Sequence, residues 1–153
     1  AYPPLAALGN VWRARLGQPA DLPPTLAALT RRCHEAGQTR PTPLLLRYGP
    51  GDFNRLHQDV YGELVFPFQL VVLLDRPGVD FIGGELVLTE QRPRLQSRAL
   101  VVPLDRGDAA VLTVRERPVQ GARGWSRAQL RHGVATVTSG RRTTLGVIFH
   151  DAR

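Results

Sequence analysis

Three side chains in this sequence are of kinds that hold a metal and fall where they could act together: His57, Asp59 and His132. In extended backbone, residues i and i+2 point to the same face. His57-Gln58-Asp59 therefore sets an imidazole beside a carboxylate and turns Gln58 away. With a second imidazole this becomes a 2-His-1-carboxylate set, which suits ferrous iron and leaves positions open for O2 and a chelating ligand. His-x-Asp alone is a common chance tripeptide. Its weight comes from the far end of the chain, where His132 lies in Leu130-Arg131-His132-Gly133-Val134 and Arg142 follows.

Three protein ligands leave three sites on an octahedral ion, two for the 2-oxo acid group of 2-oxoglutarate and one for O2. The second carboxylate of that molecule needs a buried cation, and Arg142 is the candidate. A tight hairpin centred on Ser139-Gly140 would pair Arg142 near Val137, about 16 Å along the strand from His132. Thr144 shares the face of Arg142 and can offer a hydroxyl to the same carboxylate. Arg141 points the other way, and a solvated hairpin end is the plain alternative for both arginines. Tyr48 ends the run leading towards His57, so its hydroxyl either faces the pocket or finds a partner within the core. His150 shares the parity of Arg142 but lies about 26 Å further along a straight strand, which reads as structural. His34 has no ligand at helical spacing and reads as structural or exposed.

The elements that must position these residues come in two textures. Residues 4–17 carry Leu5, Leu8, Trp12 and Leu16 at helical spacing and end on Gly17. A second helix follows Pro23-Pro24, with proline in its first turn, an apolar face of Leu26, Leu29 and Cys33, and Gly37 as its stop. Core packing accounts for Trp12 and Cys33. From Thr42 onward, short β-rich runs are broken by Gly and Pro: 44–48, 68–74, 85–89, 99–102, 109–112, 133–138 and 142–149. Many short strands with frequent turns indicate a sandwich or barrel. The expectation is a mainly β chain with N-terminal helices (α+β), in which residues 1–38 support a jelly-roll core over 42–153.

At 153 residues, 42% hydrophobic and 22% charged, the chain is long enough for one domain with a substantial core. No apolar run reaches the length of a membrane span, so no membrane partner is expected. The chain contains no Met, and a natural N-terminal segment ahead of Ala1 is expected. A single Cys33 cannot form an internal disulfide, which suits a reducing, cytoplasmic setting. All 20 basic residues are Arg, and the net charge is +7. That surplus favours polyanions such as nucleic acid, although genomic composition alone can enrich Arg. A monomer is expected.

The order His57-x-Asp59, His132, Gly140-x-Arg142-x-Thr144 resembles the Fe(II)/2-oxoglutarate-dependent dioxygenases. Gly83-Gly84-Glu85-Leu86 and Gly107-Asp108-Ala109 match turns of their prolyl-hydroxylase-like branch. Three longer stretches, 37–52, 88–94 and 145–151, resemble a bacterial family of such oxygenases acting oxidatively on methylated, damaged DNA. The resemblance covers most of the chain from about Leu22. It implies a double-stranded β-helix, iron on His57, Asp59 and His132, and 2-oxoglutarate on Arg142 with Tyr48 assisting. In one respect the sequence departs from the DNA-demethylating AlkB type: no Arg stands between Arg142 and Arg153.

Two classes of activity follow, each consuming O2 and 2-oxoglutarate. The first is a DNA-repair demethylase that hydroxylates an N-methyl group and releases formaldehyde, succinate and CO2. Its base would come from single-stranded DNA or be flipped from the stack. Arg92, Arg94, Arg98, Arg115, Arg117, Arg123 and Arg127 are the candidate DNA contacts, all but Arg98 expected in loops between strands. Trp125 either stacks on a base or packs on the sheet. The second is a hydroxylase of a protein side chain or small molecule. A non-enzymatic jelly-roll binding module is a third possibility, against which the intact His57, Asp59, His132 and Arg142 speak.

Overall fold

Two helices open the chain in the computed structural model, which describes all residues from Ala1 to Arg153. The first, α1, spans Tyr2–Arg15, with proline in its first turn where the missing N–H has no helical partner to lose. It starts earlier than its apolar spacing indicates. Tyr2 anchors it: the ring lies 4.9 Å from that of Phe66, and the hydroxyl donates to the Pro23 carbonyl oxygen at 2.9 Å. The anchor rotates the helix so that Tyr2, Ala6 and Gly9 are buried, while Leu8 of the expected stripe is exposed. The second helix, α2, spans Leu26–Glu35. Its N-cap is Thr25, whose hydroxyl accepts the Ala28 N–H. The two prolines therefore precede the cap and lie outside the first turn.

Eleven strands follow: β1 (Leu44–Tyr48), β2 (Asn54–His57), β3 (Phe68–Leu73), β4 (Phe81–Gly83), β5 (Leu86–Gln91), β6 (Arg98–Val102), β7 (Ala109–Thr113), β8 (Glu116–Gly121), β9 (Gly124–Val134), β10 (Val137–Gly140) and β11 (Arg142–Ile148). One sheet runs β1-β11-β3-β7 and another β2-β9-β5-β6, with β8 pairing to the far part of β9 and β4 pairing with β10. All pairings are antiparallel. The chain passes repeatedly from one sheet to the other, the winding of a double-stranded β-helix or jelly roll, as the sequence led us to expect.

Alternation fixes which side chains face inward. Leu73 of β3, Tyr48 of β1, Phe81 of β4 and Val137 of β10 form one buried cluster. Leu86 and Leu88 of β5 meet Leu112 of β7 in another, which joins the two sheets. On the outer side of the first sheet, Phe68 and Phe66 pack with Tyr2, Ala6, Leu29 and Cys33, so the helices cover that sheet.

Three local expectations are overturned. Ser139-Gly140 does not close a hairpin: β10 pairs with β4 and β11 with β1 and β3, so at Arg141 the chain crosses between sheets. Arg142 consequently pairs with Tyr48 and not with the strand of Val137. The run 133–138 is not one strand. It breaks between Val134 and Val137, where the Glu85 carbonyl accepts the Ala135 N–H. Finally, Arg117 and Arg127 are not in loops. They lie on the β8–β9 hairpin, which the Pro in Glu116-Arg117-Pro118 disguised. Because β8 pairs only with β9 it is an edge, where proline is tolerated.

Candidate metal centre

The antiparallel pairing of β2 with β9 places His57 directly opposite His132. Their rings lie 4.3 Å apart between centroids. Asp59 follows two residues after His57 and reaches back between them. One carboxylate oxygen, Oδ1, is 3.3 Å from His57 Nε2, and the other, Oδ2, is 3.1 Å from His132 Nε2. The three residues form a cluster with ligand atoms within 4.8 Å of one another. Donors about 2.1 Å from an octahedral ion sit about 3 Å apart, so the spacing fits one.

The hydrogen bonds around the cluster make the same point. His57 Nδ1–H donates to the Arg55 carbonyl at 2.7 Å, which leaves Nε2 of the neutral ring as a bare lone pair aimed at a carboxylate. Such an arrangement demands a positive charge, either a ring proton or a metal ion. The hydrogen bond to Asp59 accordingly pushes the His57 pKa up, with burial opposing. Burial alone would raise the Asp59 carboxyl. Hydrogen bonds from His132, His57 and Tyr61 outweigh it and hold the group far below the ordinary carboxylate range.

The cluster opens into a cavity of about 300 Å³ between the two sheets, with Arg142 and Thr144 at its other end. Arg142 is the one fully buried arginine, 1% exposed. Its Nε and Nη1 have no hydrogen-bond partner. A buried cation with unused donors is costly, and the guanidinium is missing an acidic ligand. The ring of Tyr48 lies below it, 5.4 Å from centroid to guanidinium carbon. Gly84, with a φ of +66°, permits the approach: a Cβ there would come within 2.9 Å of Arg142 Cδ. Thr144 is buried, and Arg141 is exposed. The donor set and the unpartnered guanidinium thus fit ferrous iron at one end of the cavity and the distal carboxylate of 2-oxoglutarate at the other.

Two cavity residues escaped the sequence reading. Tyr61 donates its phenol to Asp59 Oδ1 at 2.5 Å. It stands two residues from Asp59, the spacing already used for His57, and that was the available signal. Gln69 is a buried polar residue inside the apolar strand β3, with its amide Nε2 3.1 Å from His132 Nε2. His150 is fully buried beside the site: its Nε2–H donates to the Asp59 carbonyl at 3.1 Å while Nδ1 accepts the Phe66 N–H. Burial lowers its pKa, which agrees with the neutral ring these contacts need. His34 is at the surface, 2.9 Å from Asp151.

The candidate DNA contacts divide. Arg92 and Arg117 both bind the buried carboxylate of Glu90. Arg127 lies 3.9 Å from Glu116 and donates to the Leu16 carbonyl. Trp125, 41% exposed, carries the guanidinium of Arg15 on its face at 4.4 Å. Arg94, in a turn with φ of 62°, and Arg98, Arg115 and Arg123 are exposed and form no ion pair.

The family Oxygenase-NA, described as an oxygenase catalysing oxidative methylation of damaged DNA, matches residues 1–152. The uncharacterized protein Rv2227 of Mycobacterium tuberculosis strain H37Rv is 51% identical over 151 residues, 99% of this chain. The uncharacterized protein MT2286 of strain CDC 1551 has the same identity and coverage. The chain spans 65% of the length of each of these relatives. Among solved structures, an oxidoreductase of the 2OG-Fe(II) oxygenase family from Burkholderia pseudomallei aligns with a TM-score of 0.47 and 24% identity, covering 80% of this chain and 51% of that one.

Proposed function

We propose that this chain, which belongs to the Oxygenase-NA family, is an Fe(II)- and 2-oxoglutarate-dependent oxygenase whose substrate is a methylated base in DNA, demethylated by hydroxylation of the N-methyl group. The observation that carries the chemistry is one cavity with His57, Asp59 and His132 at one end and an unpartnered Arg142 at the other. The family's description and the all-Arg surplus support the substrate.

His57, Asp59 and His132 would hold the iron, which when bound activates O2 at the expense of 2-oxoglutarate and so supplies the hydroxylating chemistry. The remaining work falls to the chain. Arg142 fixes the distal carboxylate of the cosubstrate by paired N–H donors. Thr144 offers that carboxylate a further hydroxyl donor, and burial keeps the Tyr48 phenol protonated beside it. The walls of Leu46, Val71, Leu86 and Ile148 exclude water between the two ends. A methyl carbon hydroxylated next to nitrogen is a hemiaminal, which collapses to formaldehyde and the unmodified base without further help from the protein.

The test is release of succinate and formaldehyde by purified protein on methylated single-stranded oligonucleotides, on peptides and without added substrate, with His132→Ala as control. Formaldehyde formed only on methylated DNA, and lost in His132→Ala, is the expected result. Succinate stimulated by peptides and not by DNA would overturn the substrate assignment. The alternative, a hydroxylase of a protein side chain or small molecule, is favoured by one observation: Arg92, Arg117 and Arg127 are already engaged by acidic partners.

A further inference from the structure

We propose that Tyr61 is a positioning residue for the metal centre, whose phenol occupies one oxygen of Asp59 so that the carboxylate offers the ion a single oxygen. The inference rests on the reading of His57, Asp59 and His132 as iron ligands. The two carboxylate oxygens have different surroundings. Oδ2 has only His132 Nε2 beside it, at 3.1 Å. Oδ1 has His57 Nε2 at 3.3 Å and also accepts the Tyr61 hydroxyl at 2.5 Å. A hydrogen bond to an ionised carboxylate is among the stronger ones a protein makes, and this one marks Oδ1 as the oxygen kept from the ion.

The distinction matters because carboxylates bind ions through one oxygen or through both. An Asp59 that chelated with both would fill a fourth position of six. Only two would then remain for a two-point chelator and O2, which together need three. Tyr61 thereby protects the cosubstrate's place.

Packing does not explain the contact. The residue is 37% exposed, and an exposed tyrosine usually leaves its hydroxyl in water. Here the hydroxyl turns inward onto the carboxylate and the ring lines the cavity. The main chain of Asp59 is held separately, by His150 Nε2–H on its carbonyl. His150 therefore sets where Asp59 sits, and Tyr61 sets which oxygen it presents.

The test compares wild type with Tyr61→Phe, which removes one oxygen atom from a half-exposed ring. Under anaerobic conditions, Mn(II) binding is measured first and 2-oxoglutarate binding to the Mn(II)-loaded protein second. Co(II) substitution then reports the coordination through its visible absorption. A group that merely supports a ligand loses about 10–100-fold in metal affinity when removed. For Tyr61→Phe the expected result is the opposite pattern: Mn(II) affinity kept or increased, 2-oxoglutarate affinity weakened about ten-fold, and an altered Co(II) spectrum. Loss of Mn(II) affinity with 2-oxoglutarate binding intact would reduce Tyr61 to a structural support and overturn the proposal. Unchanged values for both would overturn it too. Wild type that binds neither Mn(II) nor 2-oxoglutarate would instead sink the reading of the site on which it rests.

Discussion

Arg142 differs from the other arginines in being fully buried, and burial is what lowers its pKa from the ordinary guanidinium value. A guanidinium stays charged under all ordinary conditions, so the cost of burying it must be offset by an anion. Arg142→Ala should weaken 2-oxoglutarate binding by about 3–5 kcal/mol, the penalty for leaving one member of a buried pair alone. Arg141→Ala, at an exposed neighbour, should leave binding unchanged. Titration of the metal-loaded variants with 2-oxoglutarate checks both, and equal losses would mean that Arg142 is not the anchor. Lysine is a poor replacement, because a single ammonium cannot donate two parallel N–H groups.

At the level of elements, β11 brings Arg142, Thr144 and Gly146 to the inner face of the first sheet, with Gly146 along the wall of the metal cavity. A Cβ at Gly146 would meet only the Leu44 carbonyl oxygen, at 3.8 Å. The backbone therefore tolerates a side chain, and the side chain would occupy the cavity. Gly146→Val, a β-former in a strand, should keep the melting temperature near wild type and abolish 2-oxoglutarate binding. A lowered melting temperature would show that the glycine serves the sheet instead.

The β8–β9 hairpin is tied to β5 by Glu90, which accepts from Arg92 at 2.7 Å and from Arg117. Burial raises the Glu90 carboxyl, but the two arginines outweigh it and hold it below its usual value. A carboxyl with a depressed folded-state pKa binds fewer protons folded than unfolded. Its stabilisation is therefore full above the unfolded value and is lost as pH falls through the folded one. Glu90→Gln should cost about 1–2 kcal/mol at neutral pH, discounted because both guanidiniums are partly exposed. The gap to wild type should close on acidification. Denaturant melts at neutral and acid pH measure it, and a gap that persists in acid would point to packing in place of charge.

For the whole molecule, a net charge of +7 gives a field that draws polyanions from any direction. Its usable part is smaller than the composition indicates, because acidic neighbours hold Arg92, Arg117 and Arg127. If single-stranded DNA is bound through Arg94, Arg115 and Arg123, affinity should fall with salt at a log–log slope of roughly −0.7 per contact, about −2 in total. Charge reversal at Arg94 and Arg123 should flatten that slope and spare turnover of 2-oxoglutarate without DNA. Reversal at Arg117 should instead destabilise the hairpin. A slope near zero would leave the hydroxylase alternative in the lead.

The sequence by itself determined the parts that local rules govern. Two-residue alternation set His57 beside Asp59 and put Arg142 with Thr144 and away from Arg141. Turn residues and short apolar runs indicated a β-sandwich or barrel, and the resemblance to the Fe(II)/2-oxoglutarate-dependent dioxygenases implied the double-stranded β-helix. The tertiary structure decided what depends on partners remote in the chain. Arg142 reaches its site because β11 pairs with β1 and β3 and not with β10; spacing around Ser139-Gly140 cannot distinguish a hairpin from a crossing between sheets. Arg117 of the β8–β9 hairpin looked free because the carboxylate that binds it, Glu90, lies on another strand. Tyr61, Gln69 and His150 matter only through atoms that folding brings to Asp59 and His132. Alternation says which face a side chain takes. Only the pairing of strands says what lies opposite it.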